Sequence, residues 1–323
     1  MTAGARIGID LGGTKIEGIR LEPDGVVSTR LRVDTPRLDY PGTVAGVAAL
    51  VRTLDRGEAL PVGVGAPGAW VPKLRLMQNC NSTWLNRRPL LDDLIAELGD
   101  RVRLANDADC FALSEAQDGS AAGRHVVFGV ILGTGVGGGL VVGGRVLQGP
   151  NGLTGEWGHT PLAYLHPALP ARECYCGRMN CVETYLSGPG LLATHQALWP
   201  GESSAPATAQ AVHAAAALDD ACEDWFRTDA GSENAAARAR TSLSVYSRLL
   251  AENLAQLVNI VDPDAIVLGG GLSQMVEIYP AVRALMKAHV FGDVFETELL
   301  PPAFGAASGV RGAAWLWSPG EVP

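Results

Sequence analysis

Little charge, few aromatic rings and no basic stretch characterise this sequence. Charged residues are 18% and aromatics 6% of 323 residues, and the formal charge is −9. Nucleic-acid binders carry a basic surplus or a basic stripe. Neither occurs here, so nucleic acid is not an expected partner. Long hydrophobic runs are missing as well: the longest apolar stretch, Val126–Val142, holds six glycines and is a poor candidate for a membrane span. Residues 1–6 are short and polar and lead directly into a strand-like run from Ile7, without the pattern of a secretory leader. The expectation is a soluble cytoplasmic protein with no membrane partner. Cysteine is too sparse for a disulfide scaffold, with six in the chain. Three of them, Cys174, Cys176 and Cys181, crowd into eight residues, a spacing that points to metal. Hydrophobic residues make up 47%, enough for a sizeable core, and the length predicts about two domains.

Glycine is abundant, at 40 residues, without the three-residue period of collagen. The coarse pattern alternates strands and helices, which argues α/β. Strands are expected at Arg6–Asp10, Ile16–Leu21, Val62–Ala66, Val102–Ala105, Val126–Leu132, Leu140–Val142 and Ala265–Leu268. Helices are expected at Thr43–Leu54, Leu90–Leu98, Asp107 to about Gln117, Pro189–Leu198, Ala207–Leu218, Ser232–Ile260, Pro280–His289 and Gly309–Trp317. Leu243, Leu250, Leu254, Leu257 and Val261 form an apolar stripe on the longest helix.

Three glycine clusters each end an apolar strand: Gly12-Gly13-Thr14, Gly133-Thr134-Gly135 with Gly137-Gly138-Gly139, and Gly269-Gly270-Gly271. Glycine lets backbone amides approach a ligand and cradle phosphate oxygens. Taken singly, any one cluster is equally well a tight turn. Gly133, Gly135 and Gly138 also match the dinucleotide fingerprint, which requires a helix at the last glycine. Residues 138–144 have poor helix propensity, so that reading is set aside. A P-loop pattern is not found.

Taken in order, GIDLGGTK (Gly8–Lys15), LAND (Leu104–Asp107), GTGVGGG (Gly133–Gly139), GEWGH (Gly155–His159), CYCGRMNCVE (Cys174–Glu183) and LGGG (Leu268–Gly271) resemble the ROK family of sugar kinases over nearly the whole chain. NSTWLN (Asn81–Asn86), VDPDAIVLGGG (Val261–Gly271) and GVRGAAWLW (Gly309–Trp317) further resemble its bacterial fructokinase, or manno(fructo)kinase, branch. The resemblance implies an α/β fold of two actin-like ATPase (ribonuclease H-like) domains flanking a cleft, with a zinc-bound loop. The small domain is expected at 1–115 and the large one at 116–307, with the loop at 159–183 and the C-terminal helix, about 308–323, packing back on the small domain.

The activity implied is phosphorylation of a hexose 6-hydroxyl by ATP, with fructose expected first and glucose, mannose or an N-acetylhexosamine as alternatives. By resemblance Gly12, Gly13, Thr14, Lys15, Gly133, Thr134 and Gly135 face the ATP phosphates, and Gly269, Gly270 and Gly271 lie by the adenosine. Asp10 would position Mg²⁺ through water. Asp107 falls on the family's catalytic base, although by composition alone it reads as a helix N-cap. Asp109 departs from the Asn usual in fructokinases and is read as a first-turn acid. Gly68, Asn79, Asn81, Asn106, Asp107, Glu156, His159 and Glu183 are the expected sugar contacts, Asn79 and Asn81 being equally well turn residues. His159, Cys174, Cys176 and Cys181 would hold a structural zinc. A homodimer is expected from the resemblance only. Ala303–Ala306 departs from the branch, and the Ala-rich residues 195–235 match the family poorly. Cys80, Cys110 and Cys222 read as small buried residues. A sugar-responsive regulator and a dehydrogenase are the competing classes. The first would need a DNA-binding helix-turn-helix, for which the strand at Ile7 leaves no room.

Overall fold

The computed structural model describes residues 4–202, 206–217, 234–318 and 321. Cys222, the end of the expected helix at Leu218 and the start of that at Ser232 lie outside the described residues. In chain order the elements are β1 (Arg6–Leu11), β2 (Lys15–Leu21), β3 (Val27–Asp34), α1 (Tyr40–Asp55), β4 (Val62–Ala66), β5 (Ala69–Val71), β6 (Leu76–Gln78), α2 (Leu90–Leu98), β7 (Val102–Asn106), α3 (Asp107–Gln117), β8 (Val126–Leu132), β9 (Val136–Val142), β10 (Arg145–Val146), α4 (Glu183–Leu186), α5 (Gly188–Leu198), α6 (Ala209–Ala217), α7 (Ala235–Val261), β11 (Ala265–Gly269), α8 (Ile278–Met286), β12 (Glu298–Leu300) and α9 (Ser308–Trp315). The strands form two five-stranded sheets, β3-β2-β1-β4-β7 and β10-β9-β8-β11-β12, and a β5-β6 ribbon.

The chain makes two compact units, one of Met1–Gly129, Gly138–Gly155 and Pro302–Pro323, the other of Val130–Gly137 and Glu156–Pro301. The division follows packing and not chain order, with residues 302–323 grouped with the N-terminal part of the chain.

In the first unit β1 pairs antiparallel with β2 and parallel with β4, in the register Ile7–Val62 to Asp10–Gly65. Ile7, Ile9, Val62 and Val64 of the sheet meet Val47, Val51 and Leu54 of α1 and Leu90 and Leu94 of α2 in one core. Asp39 caps α1 by accepting from the Gly42 amide at 3.0 Å, which starts that helix three residues ahead of its apolar pattern. Val310 and Ala314 of α9 pack against Ile19 and Leu21. The same end of the chain is locked by Trp317, whose indole donates to the Val62 carbonyl at 3.0 Å, and by Arg6, which donates to the Trp317 carbonyl at 2.8 Å. Residues 303–308 are tied to Glu115 of α3. This fully buried carboxylate accepts from the Ala303 amide at 2.9 Å, the Ser308 hydroxyl at 2.7 Å and the Ser120 amide at 3.0 Å. Burying a carboxyl group is costly unless hydrogen-bond donors surround it, as they do here.

In the second unit Leu243, Tyr246, Leu250 and Leu254 of α7 are buried, as are all five residues of β11. His195 is a core histidine between the Ser242 hydroxyl at 2.9 Å and the Glu202 carboxylate at 3.1 Å. Where the dinucleotide fingerprint would require a helix, β9 continues instead through Gly137-Gly138-Gly139.

Candidate functional site

In the first unit the β1–β2 turn presents Gly12, Gly13 and Thr14. The Gly12 amide donates to the Lys15 carbonyl at 3.0 Å, closing the hairpin. Thr35, just past β3, braces the turn: its amide donates to the Thr14 carbonyl at 2.9 Å and its hydroxyl to the Gly12 carbonyl at 2.8 Å. Lys15 opens β2 with an exposed side chain. Ser82, which the sequence reading passed over, is buried with its hydroxyl beside Gly13. Asp10 stands at the end of β1, mostly covered. Burial first, then the charges of Asp107 and Glu17, raise its pKa to about 6, with Arg32 acting the other way.

Asp107 is the first residue of α3, and the capping role expected of it falls to Asn106. The Asn106 side chain accepts from the Ala108 amide at 2.8 Å and donates to the Gly68 carbonyl at 2.8 Å. Both ends of that amide are therefore engaged in the scaffold. Asp107 accepts from the same Ala108 amide at 2.9 Å and keeps an exposed edge. Dense protein around it still desolvates the carboxylate and raises its pKa, while the Ala108 amide and Asn106 oppose the rise and water at the exposed edge moderates it. A carboxylate of raised basicity on a rigid helix start has the form of a general base. Asp109, two residues further along α3, is buried.

Gly68 has φ +81°, and a Cβ there would stand 2.5 Å from the Gln78 carbonyl and 2.6 Å from the Cys80 thiol. Its glycine is thus required by the fold whatever it does toward a sugar. Asn79 is exposed in the left-handed region at φ 56°, the conformation of a turn residue, and Asn81 is exposed in the same loop. Asn86 holds that loop by accepting from the Cys80 amide at 2.8 Å and donating to the Cys80 carbonyl at 3.0 Å.

In the second unit the β8–β9 turn carries Gly133, Thr134 and Gly135. The Gly188 amide at the start of α5 donates to the Gly133 carbonyl at 2.7 Å. Glu183, the first residue of α4, accepts from the Val136 amide at 2.9 Å. Gly269 ends β11, and Gly270 has φ +81° with its backbone pressed on Leu132 of β8, so no side chain fits there. Gly133, Thr134 and Gly271 line one cavity of ≈ 420 Å³ with Gly188, Pro189, Thr208 and Gln210. Ser187 caps α5 by accepting from the Gly190 amide at 3.1 Å, and the positive end of that helix borders the cavity. The SGPG run at 187–190, a capping residue followed by proline, is the signal that would have identified this wall.

The metal loop is nearly devoid of regular structure. Trp157 of the GEWGH segment donates to the Gly137 carbonyl at 2.9 Å, which seats Glu156 and His159 beside β9. His159 Nδ1 lies 3.6 Å from Cys174 Sγ, Cys176 Sγ lies 3.5 Å from Cys181 Sγ, and all four ligand atoms fall within 4.8 Å of one another. A tetrahedral zinc with bonds of about 2.3 Å to sulfur and 2.0 Å to nitrogen separates sulfur from sulfur by about 3.8 Å and nitrogen from sulfur by about 3.6 Å. The donor set therefore fits zinc. Hydrogen bonds from Arg178 draw the Cys176 thiol down to about 6, which favours the thiolate form that zinc binds. The loop's tight turn places Asn180 at φ 57°, and the Asn180 side chain accepts from the Tyr185 hydroxyl at 2.8 Å. The other ring nitrogen of His159, Nε2, meets the Tyr175 hydroxyl at 2.9 Å, a residue to which the sequence reading gave no role.

The profile of the ROK family matches residues 6–319. The chain is 38% identical to the N-acetylgalactosamine kinase AgaK of Shewanella sp. strain ANA-3 over 96% of this chain and 95% of that one. It is 36% identical to an N-acetyl-D-glucosamine kinase of Escherichia coli over 96% and 98% of the two chains. Among solved structures, the ROK hexokinase of Thermus thermophilus superposes with a TM-score of 0.78 at 26% identity, covering 97% of each chain. These relatives do not support the expected fructokinase branch. With the motif order, the α/β architecture and the whole-length match in agreement, the chain belongs to the ROK family and has its sugar-kinase fold.

Proposed function

We propose that this protein is an ATP-dependent kinase of an N-acetylated hexosamine, the alternative sugar class and not fructose. The observation that carries the substrate is the whole-length identity to two kinases named for N-acetylgalactosamine and N-acetylglucosamine. The site residues support the chemistry. Asp107, exposed on a rigid helix start with its pKa raised, accepts the proton of the sugar 6-hydroxyl while that oxygen forms its bond to the γ-phosphorus and ADP leaves with the broken bond's electrons. Backbone amides of the turns at 12–14 and 133–135 hold phosphate oxygens, and the cavity at Gly133, Gly188 and Gly271 takes the nucleotide. Asp10 is the residue for Mg²⁺: a mostly covered carboxylate whose basicity is raised by burial and then by the charge of Asp107 presents the environment a divalent cation relieves. Magnesium supplies charge neutralisation on the phosphates. Asn106, Glu156, His159 and Glu183 bind the sugar, and the Cys₃His set holds zinc as a structural tie, since four protein ligands leave no open position.

The deciding experiment offers purified protein, ATP and Mg²⁺ a panel of N-acetylgalactosamine, N-acetylglucosamine, N-acetylmannosamine, glucose, mannose and fructose, with ADP release measured. Preferred turnover of an N-acetylhexosamine is expected. Preference for fructose, the reading favoured by residues 81–86 and 261–271, would reverse the substrate and keep the mechanism. No ADP release with any sugar would remove the kinase reading. A homodimer belongs to the same proposal and is checked by light scattering.

A further inference from the structure

Tyr175 stands between two of the candidate cysteine ligands, yet the residue is 83% exposed. Its ring meets the His159 imidazole edge to face, with centroids 5.2 Å apart and an interplanar angle of 88°. Its hydroxyl sits 2.9 Å from His159 Nε2. The opposite ring nitrogen faces Cys174 Sγ and belongs to the metal cluster. An imidazole nitrogen takes one in-plane hydrogen bond, so Nε2 is the nitrogen left for a ligand and the Tyr175 phenol already occupies it.

We propose that Tyr175 is a displaceable cap: its hydroxyl holds the ligand-facing nitrogen of His159 while the protein is sugar-free and yields that nitrogen to a sugar hydroxyl on binding. The inference rests on the reading of His159 as a sugar ligand. Exchange, and not shared contact, follows from the single hydrogen-bonding direction at Nε2. The backbone around Tyr175 is fixed, since the Cys174 amide donates to the Arg178 carbonyl at 2.8 Å and the Gly177 amide to the Cys174 carbonyl at 2.9 Å. Movement is therefore confined to the tyrosine side chain, whose hydroxyl regains hydrogen bonds from water once released. The cap keeps the imidazole oriented in the empty protein and sets a threshold: only a ligand that places a hydroxyl on Nε2 displaces the phenol.

Tyr175→Phe keeps the ring and removes the hydroxyl. The sugar that the panel prefers is titrated into wild type and variant by calorimetry, and KM and kcat are measured on the same preparations with zinc content and Tm as controls. The cap predicts that the variant's sugar Kd and KM fall by about two- to tenfold, the range for one exchanged hydrogen bond, with kcat, the KM for ATP and zinc content unchanged. A rise in Kd would make the hydroxyl a sugar ligand and overturn the cap. An unchanged Kd would show that the phenol does not occupy Nε2 in solution, and would overturn it too. Wild type that phosphorylates no hexose would remove the functional reading itself, a result separable from either outcome in the variant.

Discussion

The two Gly-Thr hairpins read almost alike in sequence and are held in different ways. The turn at Gly12–Thr14 is braced from within its own sheet, by Thr35 at the end of β3, through one amide and one hydroxyl. The turn at Gly133–Gly135 is braced from elsewhere in the chain, by the carboxylate of Glu183 and the amide of Gly188, both of which follow the cysteine loop. Local pairing alone shapes the first. The second depends on residues that follow a loop with little secondary structure, the one that carries the candidate Cys₃His set. The same backbone chemistry can thus be autonomous in one place and conditional in another.

Each region has a change that should break it. The largest effect belongs to the first unit's carboxylates. Asp107→Asn is expected to lower kcat by about 10²- to 10⁴-fold while leaving the sugar Kd within about twofold. Full turnover in that variant would remove Asp107 from its role. Next is the metal loop. Stripping zinc with a chelator, or Cys181→Ser, is expected to raise the KM for both sugar and ATP by about tenfold or more, if Glu183, which follows the loop and holds the Val136 amide, serves the sugar as proposed. A rise for sugar alone would show that the second hairpin is as autonomous as the first.

Asp10 offers a stability test. Its folded-state pKa is raised from 3.8 to about 6. The folded protein therefore binds this proton more tightly than the unfolded chain does, and stability is lost as the pH rises between those values. In metal-free buffer, Asp10→Asn is expected to be more stable than wild type at pH 7, by at most about 3 kcal/mol, with the gain vanishing below about pH 4. Chemical denaturation at the two pH values checks it, and an equal gain at both would mean that charge is not the cause. Activity should also fall on acidification with a midpoint above the ordinary carboxylate range, since Asp107 is raised in the same direction and works as a base only when ionised.

The smallest effects compare the braces directly. Glu183→Gln replaces a charged acceptor for the Val136 amide by a neutral one, a loss of about 1 kcal/mol, and should move the KM for ATP and for sugar together. Thr35→Val removes the hydroxyl bond to Gly12 and should move the KM for ATP alone, by about threefold. Steady-state kinetics in both substrates separates the two.

Much of the scaffold was legible. Val62–Ala66 and Leu90–Leu98 have the bounds their apolar runs predict. β3 went unread because it is an edge strand whose residues alternate between exposed and half-covered, with no buried face to give a period. β9 was read as three residues instead of seven, since Gly137-Gly138-Gly139 have no side chains to report an alternation and only pairing defines the strand. Asn106 illustrates a different limit. Its amide caps α3 and holds the Gly68 carbonyl, two scaffold roles that the motif around it does not reveal.

The sequence by itself determined the α/β class, the order of the glycine turns and the Cys174, Cys176 and Cys181 spacing, all short-range properties of a few adjacent residues. His159 as the fourth ligand and Asp107 as the base were implied by the family resemblance. Only the tertiary structure decided that Asn106 and not Asp107 caps α3, that Glu183 braces the Gly133–Gly135 turn, and that Tyr175 sits on the second nitrogen of His159. Each of these is a hydrogen bond whose partner is chosen by how the chain is packed, and a sequence lists donors and acceptors without saying which of them meet.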